Sequence, residues 1–314
     1  GPSGRIIERD VIRLIDQGIM STAAAGVYPP GLAGTGLGGR VRVEDTVTSA
    51  MRPAQAAEIS APVEVQSETQ TSWTEKHSTI RKVIARQMQH SLSNMAQLTH
   101  NMSFDASAII ALRGQLKTAA EKGLAEKGYT LANPVPTLGD IVLYAVSRVL
   151  ARHQACNAHY DDEKMTYFRN ANLGVAVDTP RGLMVPTIFA ADKLSLSEIS
   201  AQVRQLAAEC RGGTINPDKL KGGSFTVSNL GSFGVESFTP VINPPQTCIL
   251  GVNTIVTRVR EKNGQLEGYP AMNLSLTYDH RALDGAPASR MLQELCLALE
   301  NFPILLMQGG LAHG

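Results

Sequence analysis

Three observations predict a mixed α/β fold with antiparallel hairpins. Met272, Leu274, Leu276 and Tyr278 alternate with Asn273, Ser275, Thr277 and Asp279, the period of a strand with one face in the core. Ser195-Leu196-Ser197-Glu198 is a capping box ahead of Ile199, Val203, Leu206 and Cys210 at helical spacing. Asn263-Gly264, following an apolar run from Ile249 to Val259, is a tight hairpin turn. Helices and hairpins do not alternate as a strict βαβ series, which sets the chain apart from an all-parallel doubly wound fold.

In chain order, the first 47 residues hold a weak repeat. Gly1-Pro2-Ser3-Gly4-Arg5-Ile6 through Asp10 is echoed by Gly36-Leu37-Gly38-Gly39-Arg40-Val41 through Asp45. Each is a Gly-rich loop running into a short helix, or else the two are unrelated Gly turns. Residues 48–76 are rich in Ala, Glu, Gln, Ser, Thr and Pro, have Trp73 as their one aromatic, and show no apolar period, which makes them a flexible linker. Ile80, Ile84, Met88 and Leu92 then mark an amphipathic helix, with Arg81, Lys82 and Arg86 off the stripe on its solvated face. Thr137-Leu138-Gly139-Asp140 opens a helix carrying Ile141, Ala145 and Val149. Leu173–Val177 and Met184–Ile188 form two strands around Asp178–Gly182, and Gly212-Gly213 ends the helix begun at Ser195. After the strand that finishes at Asp279, Pro287 suits the first turn of a helix with Ala288, Leu292, Leu295 and Leu299 on one stripe, which Pro303 stops.

Length and composition narrow the functional classes. A chain of 314 residues exceeds one typical domain, and 43% hydrophobic content is ordinary for a globular protein. A net charge of +1 carries no electrostatic footprint for nucleic acid or an anionic membrane surface. There is no apolar run long enough for a membrane span and no signal layout at the N-terminus, so a cytoplasmic or, in a eukaryote, mitochondrial matrix location is expected. Cys156, Cys210, Cys248 and Cys296 are scattered, without a CxxC pair or zinc spacing, and read as buried small hydrophobes. No metal site is expected.

The chemistry centres on Asp279-His280-Arg281-Ala282-Leu283-Asp284-Gly285, which sets an imidazole at a strand-to-helix corner. An imidazole of ordinary pKa about 6.5 beside a thiol of about 8.5 is suited to deprotonating that thiol near neutrality. On these residues alone His280 is either such a base or a structural histidine capping the corner. In Ser224-Phe225-Thr226-Val227-Ser228-Asn229-Leu230-Gly231, Phe225 and Val227 point one way and Thr226 and Ser228 the other. That leaves Ser228 either as an oxyanion donor or as a hydroxyl satisfied within the sheet. A serine hydrolase is disfavoured, since no GxSxG elbow is present and the chain order Ser228, His280, Asp284 differs from that of α/β hydrolases. His77, His90, His100, His153, His159 and His313 lack partner motifs and read as surface or capping residues.

Together with Pro240-Val241-Ile242-Asn243-Pro244-Pro245-Gln246 and Asn172–Val177 leading to Gly182-Leu183-Met184-Val185-Pro186, these motifs resemble, in order over roughly residues 77–308, the dihydrolipoamide acyltransferases of 2-oxo acid dehydrogenase complexes. The resemblance implies the mixed-sheet fold shared with chloramphenicol acetyltransferases. It also implies transfer of an acyl group between dihydrolipoamide and coenzyme A, with acetyl favoured and pyruvate or acetoin complexes as its setting. His280 would be the base, Ser228 the oxyanion donor, and Asp284 a structural acid paired with an arginine, for which Arg81 is the candidate. Coenzyme A is then a substrate, and lipoamide comes from a lipoyl domain outside this segment; Lys193, directly before the capping box, is a poor candidate for lipoylation. The implied assembly is a homotrimer that builds a hollow core and recruits a thiamine-dependent dehydrogenase and a flavoprotein dihydrolipoamide dehydrogenase. Residues 1–16 resemble the C-terminal half of a peripheral subunit-binding domain, residues 17–47 a second and degenerate copy, and residues 77–314 form the catalytic domain. Two rivals remain: a free-standing chloramphenicol-acetyltransferase-like enzyme, and a non-catalytic core component.

Overall fold

In a computed structural model, residues 72–128 and 134–311 are described. The docking-like segments and most of the linker lie outside them, while residues 72–76 have no regular structure. Thr74–Gly314 forms one unit. Its elements are α1 (Thr79–Asn94), β1 (Gln97–Asp105), α2 (Ser107–Glu121), α3 (Leu138–Leu150), β2 (Ala158–Tyr160), β3 (Met165–Tyr167), β4 (Leu173–Val175), β5 (Thr187–Ile188), α4 (Leu196–Gly212), β6 (Phe225–Asn229), β7 (Cys248–Lys262), β8 (Gln265–Asp279), α5 (Gly285–Glu300) and α6 (Phe302–Leu311).

Six strands make a mixed sheet in the order β1-β8-β7-β6-β4-β5, and β2 and β3 form a separate hairpin. Strand β6 runs parallel to both β4 and β7, whereas β1, β8 and β7 are successive antiparallel neighbours. The β7–β8 hairpin turns at Asn263 and Gly264, whose φ values of 54° and 76° are those of a type I′ turn. This is the predicted fold class, and the Asn-Gly signal located its longest hairpin.

One face of the sheet is apolar. Phe104, Leu173, Phe225, Val227, Leu250, Leu274, Leu276 and Tyr278 join Ile109 of α2, the whole inward length of α3, Ile199 and Leu206 of α4, and Leu292, Leu295 and Leu299 of α5 in a continuous core. Helix α3 is buried on nearly every side, as a helix without a polar face must be. Its N-terminus is closed by the capping box: Asp140 N–H donates to Thr137 Oγ1 and Thr137 N–H to Asp140 Oδ2, while Ser200 Oγ donates to the same carboxylate. Helix α4 has the second box, at Ser195 and Glu198, and ends on Gly213 in the left-handed region at φ 76°. The four cysteines are buried free thiols.

The other face is polar and hydrogen-bonded across the strands. Thr99 pairs with Thr277 at 2.7 Å, Ser275 Oγ donates to Asn101 Oδ1 at 2.6 Å, Asn253 Nδ2 donates to Ser275 Oγ at 2.9 Å, and Thr226 Oγ1 donates to Gln246 Oε1 at 2.6 Å. The segment from Val235 to Thr247 crosses this face: Asn273 Nδ2 donates to Glu236 O, and a side chain on Gly251 would strike the Phe238 ring at 2.8 Å. Ser91 at the end of α1 donates to Ile242 O, so α1 lies along the same segment.

The sequence reading missed β1, α2 and the β2–β3 hairpin; the amphipathic helix expected from Ile80 to Leu92 is α1, though its apolar stripe is only partly covered. Ile84 and Met88 are half-buried, but Ile80 and Leu92 at the ends of the stripe are exposed. Pro303 ends α5 as predicted, and it also begins α6, where a proline in the first turn loses no helical bond. Removing the α3 cap tests the local reading: Thr137→Ala should lower unfolding free energy by about 1 kcal/mol in equilibrium denaturation, with the slope of the transition unchanged.

Candidate active site

His280 follows the last residue of β8, and the corner behind it is organised by Asp279, whose side chain is 0% exposed. Strand alternation turns Asp279 to the polar face with Thr277 and Ser275. Its Oδ1 accepts from Ala96 N–H at 3.2 Å and Arg281 N–H at 3.1 Å, and its Oδ2 accepts from Arg281 Nη2 at 2.8 Å. Arg281 Nε reaches both oxygens at 3.1 Å, completing a fork. This pairing, before any other influence, raises the Arg281 guanidinium above its ordinary value. The guanidinium also stacks on Tyr160, 4.7 Å from the ring centroid. The carbonyl of Asp279 accepts from Ala282 and Leu283, and His280 N–H donates to Ala96 O at 2.8 Å. The chain therefore turns through His280 with its backbone fixed on both sides.

The imidazole itself is open, with a side-chain exposure of 40%. Asp284 stands at the N-cap of α5 without a capping bond, is 85% exposed, and brings Oδ1 within 3.9 Å of His280 Nδ1. At that distance and exposure the pair is a weak solvent-screened contact, not a triad hydrogen bond. Asp284 has no arginine partner among the described residues. Arg81 lies elsewhere: its backbone N–H donates to Ser78, and its guanidinium sits against Gly182. The expected Arg81–Asp284 pairing is thus not made within one chain, and the buried acid–arginine pair of the corner is Asp279–Arg281, which the sequence reading passed over. Its signal was the polar alternation of β8, which put Asp279 on the face with hydrogen-bonding partners.

Ser228 sits near the end of β6, half-buried, on the polar face beside Thr226. The sheet keeps it away from His280. Ser228 is level with Gly251, and Gly251 with Ser275, several residues short of the corner. With about 3.3 Å per residue along a strand and about 4.8 Å between strands, the two side chains of one chain are separated by roughly 15–20 Å. A cavity of about 300 Å³ that Ser228 does not line opens beyond the end of β6, between Leu138 and Gly139 of α3 and Asn229, Gly231 and Val252. A wider apolar cleft, about 650 Å³, runs between α1 and the Asn243–Gln246 segment.

Three histidines expected on the surface instead tie elements together. His153 meets Glu294 at 2.6 Å, His159 meets Gly223 O at 2.8 Å, and His100 lies between Tyr278 and Ser289. Lys193 lies in a short 3₁₀ turn, 3.5 Å from Asp192 Oδ2, and not at a hairpin tip where a lipoyl-lysine would stand. Among the described residues no cluster of three or more His, Cys, Asp or Glu could hold a metal ion.

Comparison with known proteins places the chain in a family. The family model described as 2-oxoacid dehydrogenases acyltransferase (catalytic domain) matches residues 69–307. The chain is 37% identical over 283 residues to the dihydrolipoyllysine-residue acetyltransferase component of the acetoin cleaving system of Bacillus subtilis, covering 90% of this chain and 68% of that protein. Among solved structures it is similar to Azotobacter vinelandii dihydrolipoamide acetyltransferase, with a TM-score of 0.68, 28% identity, and 80% of this chain and 100% of that one covered. In that enzyme a serine, a histidine and an asparagine have been assigned a role in the catalytic mechanism, and those three fall at the same spacing as Ser228, His280 and Asp284. The cubic core of a pyruvate dehydrogenase multienzyme complex is similar as well, with a TM-score of 0.67, 27% identity, and 80% and 100% coverage.

The corner supplies a direct test. Asp279→Asn removes a buried charge and leaves Arg281 without its fork, so stability should fall by about 2–4 kcal/mol in denaturant unfolding. Asp284→Asn, at an exposed site, should change it by no more than about 0.5 kcal/mol.

Proposed function

Because the chain belongs to the 2-oxoacid dehydrogenase acyltransferases, we propose that His280 and Ser228, from two neighbouring copies, together catalyse its acyl transfer between dihydrolipoamide and coenzyme A. The observation that carries the shared site is the sheet register. A base and an oxyanion donor must both lie within hydrogen-bond reach of one reacting thioester, and within a single chain they are roughly 15–20 Å apart. A second copy brings a Ser228 to each His280, and a closed ring of copies gives every subunit the same arrangement.

In this reading the neutral imidazole of His280 takes the proton of the coenzyme A thiol. The thiolate adds to the carbonyl carbon of S-acyl dihydrolipoamide, and Ser228 Oγ–H donates to the oxyanion that forms. Collapse of that intermediate breaks the bond to the dihydrolipoamide sulfur, which takes the proton back from the imidazolium. Atoms and charge balance in both directions, so the same groups serve the reverse reaction. The matching spacing in the Azotobacter enzyme supports these two roles, and Asp284 takes the place of the asparagine there.

The acetyltransferase named in the acetoin cleaving system favours acetyl as the group transferred, and the similar cubic core favours trimers arranged in a hollow shell. Within such a shell, residues 1–47 are proposed to dock a thiamine-dependent dehydrogenase and a flavoprotein dihydrolipoamide dehydrogenase, residues 48–76 to tether them, and a lipoyl domain to deliver the acyl group. A cytoplasmic or matrix location follows from the same setting.

His280→Ala should abolish turnover while leaving the oligomer intact by sedimentation. Ser228→Ala should lower kcat by roughly 10²-fold with KM little changed, the pattern of a donor used mainly in the transition state. Co-expressing the two variants at equal levels should restore about a quarter of wild-type activity, because two neighbouring positions must each be filled by the correct chain. Activity no higher than that of either variant alone, in mixed oligomers verified by mass spectrometry, would reject the shared site.

A further inference from the structure

The backbone of His280 is fixed, yet among the described residues no hydrogen bond holds its imidazole, since Asp284 lies 3.9 Å away and faces solvent. The side chain against it is Tyr278, whose ring centroid is 5.7 Å from that of His280 at an interplanar angle of 45°. Residues two apart on a strand share a face, so this contact follows from the last turn of the β8 pattern.

Tyr278 is 1% exposed, and its hydroxyl needs a partner there. His100 provides one: Tyr278 Oη and His100 Nε2 are 3.1 Å apart, and the two rings meet edge to face at 4.9 Å. His100 lies diagonally across from Tyr278 on β1, within reach for long side chains. Its other nitrogen, Nδ1, is 3.0 Å from Ser289 Oγ in the early part of α5. Either neutral tautomer of His100 satisfies both contacts, donating through one nitrogen and accepting through the other. Burial first, then Asp284 and Cys248, push the Tyr278 phenol above the usual tyrosine range, so it remains a hydroxyl. Gly285 completes the arrangement, because a side chain there would stand 3.2 Å from Tyr278 Oη and 3.4 Å from His100 Cε1. A strand, a second strand and the helix after the corner thus converge on one ring, and that ring supports the imidazole.

We propose that Tyr278, clamped by His100 and Ser289, is a positioning residue that sets the plane of the His280 imidazole for proton transfer. The inference rests on His280 being the base. Tyr278 touches neither substrate, so its loss acts on the rate of the chemical step and not on substrate binding.

The test uses the full chain, with initial rates of acetyl transfer from acetyl-coenzyme A to free dihydrolipoamide expressed per assembled oligomer. Expression per oligomer removes any loss of stability from the rate. Tyr278→Phe keeps the ring and loses its anchor; Ser289→Ala loses the far end of the clamp at a half-buried site; Gly285→Ala presses on the pair. Each should lower kcat about 3- to 10-fold with both KM values within about two-fold of wild type. The Tyr278→Phe/Ser289→Ala double variant should match the slower single variant, because both break one chain of contacts. Unaltered kcat in Tyr278→Phe, a loss confined to KM, or losses that multiply in the double variant overturn the proposal when His280→Ala is inactive. Turnover retained by His280→Ala overturns the base assignment itself, and the positioning role with it.

Discussion

The corner at Asp279 is the constraint on which the site depends. A carboxylate with no solvent exposure requires charge-assisted partners, and Asp279 finds them in the Arg281 fork and in the backbone N–H groups of Ala96 and Arg281. Those partners come from both sides of the residue that must be placed. Ala96 belongs to the link between α1 and β1, so the same carboxylate fastens the edge strand's start to the end of β8. His280 lies between the residues that Asp279 holds, and it has little freedom in its backbone.

The sheet imposes the second constraint. Its apolar face is filled by helices and its polar face is tied together by hydroxyl and amide pairs, so a register slip would expose one set and break the other. Fixed register means that Ser228 and His280 stand well apart in every folded chain, on β6 and beyond β8 with β7 between them. No loop motion repairs a separation written into strand pairing, and for that reason the proposed reading makes association of copies part of the chemistry. The exposed Ile80, Val83 and Leu92 of α1 agree with a chain that completes its packing against others.

Much of this was legible in the sequence because several local signals agreed. The Asn263-Gly264 turn, the helix start at Thr137, the capping box at Ser195 and the alternation of β8 are strong local signals, and each element formed where its signal lay. Strand β1 escaped because His100 occupies a position where the pattern calls for an apolar residue, and that histidine is polar for a reason seen only when Tyr278 and Ser289 are beside it. The role of Asp279 escaped similarly: as a letter beside His280 it looks like a flanking acid, and its burial depends on Ala96, far away in the chain. Arg81 was placed near Asp284 by resemblance, and the fold of one chain sets it against Gly182 instead. Residues 1–71 lie outside the described residues.

The two acids near His280 show how the site differs from a serine triad. In a triad the acid accepts from the imidazole and steadies the charge it gains, which a weakly acidic serine hydroxyl demands. Here the buried acid is directed at backbone and arginine, and the exposed one stays 3.9 Å from Nδ1. A thiol with an ordinary pKa about 8.5 gives up its proton far more readily than a hydroxyl, so the base needs less electrostatic help. What it does need is direction, since proton transfer requires the nitrogen within hydrogen-bond reach of the sulfur on a correct line. In the proposed reading that direction comes from the fixed backbone and the Tyr278 ring, while the charges hold the corner and the imidazole stays exposed.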